Sequence, residues 1–98
     1  MSFVQIIQFQ TSKLEEMRAI GQEWEAAAAG ASKARRRVLC ADRDNPGRYM
    51  NIVFFDSYDE AMENSALPQT TEFSAKMAAL ADEPPTFVNL DVLDDVTA

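Results

Sequence analysis

Residues 3–10, Phe-Val-Gln-Ile-Ile-Gln-Phe-Gln, are apolar on both sides of an extended chain. In a strand Phe3, Gln5, Ile7 and Phe9 point one way, and Val4, Ile6, Gln8 and Gln10 point the other. A half-exposed strand alternates apolar with polar residues; this one carries large side chains on both faces and a carboxamide within each. A chain that starts this way must build a sheet with both faces covered.

The remaining pattern supplies partners for that strand. Arg35–Ala41 and Arg48–Asp56 read as two strands, and Asn45-Pro46-Gly47 between them is strong turn chemistry, so they form an antiparallel hairpin. Thr86–Leu93 reads as the last strand and residues 94–98 as a tail. Between the first two strands Leu14, Met17, Ile20, Gly21, Trp24 and Ala28 recur at helical spacing, with Ser12 and Glu15 as a capping box and Gly30 as the stop. Ser57 and Glu60 repeat the capping spacing and open a short helix. Leu67-Pro68 breaks it, and a further amphipathic segment carries Phe73, Met77 and Leu80. The order βαββαβ over residues 1–98 predicts a single α+β domain: a ferredoxin-like, four-stranded antiparallel sheet with its helices on one face.

Each later strand has one apolar face and one mixed face. Met50, Ile52 and Phe54 oppose Tyr49, Asn51, Val53 and Phe55; Val88, Leu90 and Val92 oppose Phe87, Asn89, Asp91 and Leu93. Helices cover one side only, so the mixed face is expected to pack on its copy in a second chain, giving a homodimeric α/β barrel. Gln5 or Gln8, Asn51 and Asn89 then line the space between two sheets.

Composition removes several functions. Hydrophobic residues make up 47% and charged residues 26%, a globular balance. The net charge of −7 speaks against nucleic acid and anionic membrane surfaces, and no segment approaches the roughly 20 apolar residues of a membrane helix. No secretory signal is recognisable, and the lone Cys40 has no partner for a disulfide, so the cytoplasm is the expected location. Histidine is absent, which removes the commonest metal ligand and the usual neutral-pH acid/base; no metal and no cofactor are expected.

The element order, the length and the stretch from Asn51 to Phe73 resemble the dimeric α/β-barrel superfamily, specifically the antibiotic-biosynthesis-monooxygenase-like domains. Ser57, Ala61, Pro68 and Phe73 fit that pattern. Phe55 stands where the family has Trp, Val53 where it has Glu, and Asn64 or Ser65 where it often has His. The resemblance implies a ligand cavity lined by the mixed face. It implies one of two functions: binding of a hydrophobic or aromatic metabolite without catalysis, or cofactor-independent monooxygenation of an aromatic or quinol-type substrate.

Candidate ligand-binding residues follow. Gln5, Tyr49, Asn51, Phe55 and Asn89 share the mixed face, where amide and phenol donors could hold a developing oxyanion or simply satisfy an interface. Arg37, in the run Lys33-Ala34-Arg35-Arg36-Arg37, could anchor an acidic ligand or pair with the many carboxylates. Trp24 belongs to the helix stripe, and its indole N–H needs a partner wherever it is buried.

Overall fold

The computed structural model describes residues 2–97. Its elements are β1 (Phe3–Gln10), α1 (Leu14–Ala27), β2 (Arg36–Ala41), β3 (Arg48–Phe55), α2 (Tyr58–Ser65), α3 (Pro68–Leu80) and β4 (Thr86–Asp91). The four strands form one antiparallel sheet in the order β2-β3-β1-β4. β1 is therefore flanked on both edges, and the fold is the expected ferredoxin-like α+β arrangement. The helical segment after β3 is two helices. Pro68 lacks an N–H and holds Leu67 extended (φ −64, ψ 136), so the chain breaks between α2 and α3.

Register sorts the strands into rows that run across the sheet. Val38, Ile52, Ile6 and Val88 form one row, and Arg36, Phe54, Val4 and Leu90 another. On the opposite face lie Arg37, Val53, Gln5 and Asn89, then Leu39, Asn51, Ile7 and Phe87. Phe3, Phe9, Asn51, Val53 and Phe55 are buried on this second face, and it is the one the helices cover. The mixed face is thus not the one left for a partner chain, as the pattern alone suggested.

The reason is shape. The mixed face carries the bulky rings Phe3, Phe9 and Phe55, which reach across the uneven gap beneath a helix. Its carboxamides find each other, Gln5 donating to Asn89 Oδ1 at 3.1 Å. Of the two glutamines, Gln5 lies under the helices and Gln8 on the open face, in the row Cys40, Met50, Gln8 and Thr86. The open face is smooth, largely β-branched and only half-buried; Leu90 stays 43% exposed.

Local chemistry fixes the connections. In the β2–β3 hairpin Arg48 N–H donates to Asn45 O at 3.1 Å, and Gly47 takes φ +89, the left-handed value a type II turn needs. Asn45 and the Asp44 backbone N–H donate to Asp42, whose carboxyl is held below its ordinary pKa, chiefly by the Asn45 amide. Ser57 caps α2, its Oγ accepting from Glu60 N–H at 3.1 Å.

α1 starts differently from expectation. Thr11 replaces Ser12 as the anchoring hydroxyl: only 2% exposed, it accepts from Lys13 N–H at 2.9 Å and donates to Leu80 O at 2.8 Å. One side chain therefore ties the start of α1 to the end of α3. At the other end α1 stops at Ala27, and Gly30 (φ +82) turns the chain just beyond.

Thr11→Val, which strands both partners of a buried hydroxyl, is expected to cost about 2 kcal/mol. Ser12→Ala is expected to cost less than about 0.5 kcal/mol. Urea denaturation of the two variants checks the assignment; equal losses would contradict it.

Candidate functional site

α3 leans on α1 more than on the sheet. None of its residues is fully buried. Trp24 of α1 stacks against Phe73 of α3 with ring centroids 5.7 Å apart, and the Trp24 indole donates to Thr70 Oγ1 at 3.2 Å. These contacts fasten the helices to each other and leave a gap above the sheet. A cavity of about 260 Å3 occupies it, just below the usual range for small-molecule sites. A further pocket of about 50 Å3 adjoins it and shares Ile7, Asn51, Phe73, Ser74 and Phe87 with it.

Five of the residues expected from sequence line the cavity: Gln5, Trp24, Arg37, Asn51 and Phe55. Two do not. Asn89 is exposed and supports Gln5 from the neighbouring strand. Tyr49 lies further along the same sheet face, stacked on Phe9 at 5.7 Å, and lines a separate cleft between α1 and β2. Val53, Asn64 and Ser65, three of the positions where the chain departs from the family pattern, also line the cavity, as does Phe55.

Sequence reading did not single out Thr70, Phe73 and Ser74 as cavity residues. They put two small hydroxyls beside one ring on α3, a spacing that reads as an indifferent amphipathic face. Phe73 and Thr70 are engaged with Trp24 of α1, and the short side chain of Ser74 leaves the gap unfilled. Gly21 was read only as part of the α1 stripe. The Arg37 guanidinium lies against the helix there, 3.7 Å from where a Cβ would stand.

Asn51 is the centre of the site. It is 5% exposed, in the middle of the inner strand β3, and its Oδ1 has no hydrogen-bond partner among the described residues. Buried carboxamides in native structures are nearly always satisfied, and an orphan of this kind costs about 1–3 kcal/mol. Its partners across the sheet are Ile7 and Leu39, whose side chains offer no hydrogen bond. Asn64, by contrast, is satisfied: its Oδ1 accepts from Lys33 N–H at 2.9 Å and ties the loop after α1 to α2.

The electrostatics are simple. The cavity wall includes no carboxylate, no cysteine and one charged group, Arg37. Arg37 pairs with Glu25 of α1, through Nε at 3.0 Å and through its terminal nitrogen. The other cations of the run point elsewhere: Arg35 pairs with Asp56 at 2.6 Å, and Arg36 lies over the Phe54 ring, 5.5 Å from its centroid, on the open face. Among the described residues no cluster of three or more His, Cys, Asp or Glu comes together, and no helix is long and apolar enough to cross a membrane.

No protein-family profile matches the chain, and no curated protein matches its sequence. Solved structures do match its fold. SnoaB, a cofactor-independent oxygenase from Streptomyces nogalater, superposes with a TM-score of 0.81 at 16% identity, over 99% of this chain and 98% of that one. Rv0793 from Mycobacterium tuberculosis gives 0.80 at 17% identity, over 99% and 100%. An antibiotic biosynthesis monooxygenase gives 0.75 at 16%, over 96% and 100%. The chain thus has the antibiotic-biosynthesis-monooxygenase-like fold along its whole length.

Replacing Asn51 with Leu, of similar size, removes the orphan carbonyl. Asn51→Leu is expected to stabilise the protein by about 1 kcal/mol, raising Tm by about 4–8 °C. Calorimetry or urea titration checks this; a clear loss of stability would show that Asn51 is an ordinary satisfied core amide.

Proposed function

We propose that this chain is a homodimeric protein whose cavity holds a small hydrophobic or aromatic metabolite. The observation that carries the reading is the buried Oδ1 of Asn51, without a partner among the described residues, in a cavity walled by Trp24, Phe55, Phe73 and Phe87. Rings on the walls suit a flat apolar body, and one unpaired amide suits one polar substituent. Gln5, held by Asn89, and Arg37 add polar contacts at the sides.

The second reading is cofactor-independent monooxygenation, and it is favoured by the fold shared with SnoaB. Asn51 and Arg37 would then hold the anion of an electron-rich aromatic while O2 reacts with a ring methylene. Two C–H bonds break, one oxygen atom becomes the carbonyl and the other leaves as water, with the substrate supplying all the electrons. The cavity wall offers no carboxylate or histidine as a base, so the substrate must ionise readily by itself. This requirement makes binding the first reading and oxygenation the second.

Dimerisation follows from the open sheet face. The rows Val38-Ile52-Ile6-Val88 and Arg36-Phe54-Val4-Leu90 present a largely apolar surface, interrupted where Arg36 lies over the Phe54 ring. A second copy that packs sheet to sheet removes it from water and meets the demand of β1 for cover on both sides.

Isothermal titration with naphthol, a neutral aromatic alcohol, is expected to show one saturable site per chain. Asn51→Leu is expected to weaken it about tenfold while leaving the protein folded. Absence of saturable binding of this class would contradict the reading. Oxygen uptake above the spontaneous rate with 2-tetralone, whose benzylic ring methylene ionises through the enol, and heavy oxygen from labelled O2 in the product, would select the oxygenase reading. Light scattering is expected to give the mass of two chains, and Ile52→Glu the mass of one.

A further inference from the structure

Among the described residues Arg37 alone is common to the main cavity and to a second, polar cleft of about 420 Å3 between α1 and β2. That cleft is lined by Arg18, Gln22, Glu25, Leu39 and Tyr49 among others. The Arg37 guanidinium thus forms a partition, apolar and ring-lined on one side and wet on the other. Gly21 of α1 lies directly against it, the guanidinium 3.7 Å from where a Cβ would stand.

Charge in this chain is distributed unevenly. It has 16 acidic residues against 9 basic ones, yet no acidic residue lines the main cavity. The partner that neutralises Arg37, Glu25, sits outside the cavity wall with a side chain 51% exposed, while that of Arg37 is 29% exposed. An ion pair with one half-exposed member is held weakly, because water competes for the carboxylate. A guanidinium in a partly enclosed site favours a carboxylate that can meet its planar fork with two parallel bonds.

We propose, building on the aromatic-cavity reading, that the ligand is an aromatic carboxylate. Its ring system lies between Trp24, Phe55 and Phe73, and its carboxylate replaces Glu25 on Arg37 at the partition. Glu25 then swings to solvent and acts as a built-in competitor. It keeps Arg37 aligned in the empty protein and sets a threshold that neutral aromatics do not have to cross but also gain nothing from. Arg37 is on this account a specificity-determining residue: it selects the charge of the ligand, while the rings select its shape.

The test compares naphthoate with naphthamide, which share size and ring system and differ in charge, by isothermal titration at neutral pH on the full chain. Naphthoate is expected to bind at least about tenfold more tightly. Glu25→Gln is expected to strengthen naphthoate further and leave naphthamide unchanged. Arg37→Met is expected to bring naphthoate down to the level of naphthamide; should that variant not fold, the Glu25→Gln comparison decides alone. Naphthol and naphthamide binding, with naphthoate no tighter in either the wild type or Glu25→Gln, would overturn the anion selectivity and leave the aromatic cavity standing. Failure of all three compounds to bind would overturn both.

Discussion

Everything in this fold follows from having to cover β1 on two sides. It occupies an inner position in the sheet, hydrogen-bonded along both edges, and it is apolar on both faces. Helices can satisfy only one face. They take the one with the large rings, because Phe3, Phe9 and Phe55 are long enough to reach a helix that crosses a twisted sheet. The smoother face, with Ile6 and Ile52 side by side, carries no helix.

The cavity comes from how the helices share the load on the covered face. α1 lies close, with Met17 and Gly21 buried. α3 is fastened to α1 through Trp24, Phe73 and Thr70, and to the start of α1 through Thr11, so it can stand away from the sheet. Beneath it, short side chains such as Ser74 leave space that larger residues would fill. A chain of this size has little stability to spare, and a gap floored by an unpaired amide is costly. A ligand that donates to Asn51 Oδ1 offsets that cost.

The sequence made the architecture legible because its signals are local and repeated. Alternation marked the strands, Asn45-Pro46-Gly47 the hairpin and Ser57 the start of α2. Five cavity residues were also legible, since carboxamides and an arginine among large apolar side chains stand out. The assignment of faces was not. A mixed face suits a wet interface or a polar cavity equally well by pattern, and what decides is the reach of side chains across a gap that only the folded chain defines. Tyr49 shows the same limit. It shares a face with Asn51, yet two residues along the strand carry it about 7 Å away, past the end of the cavity and into the α1–β2 cleft. Thr11 prevailed over Ser12 as the anchor of α1 because Leu80, far away in sequence, offers it a carbonyl.

The central claim is that Asn51 is a ligand-binding amide and not a flaw in the core. The most direct measurement follows the side-chain amide resonances of Asn51 and the indole resonance of Trp24 by NMR as naphthol is added. The account predicts that both move together and saturate at one equivalent per chain, while the side-chain amide of Gln8, on the opposite face of the sheet, stays in place. Stationary Asn51 and Trp24 resonances at saturating naphthol, or shifts confined to Gln8, would contradict it.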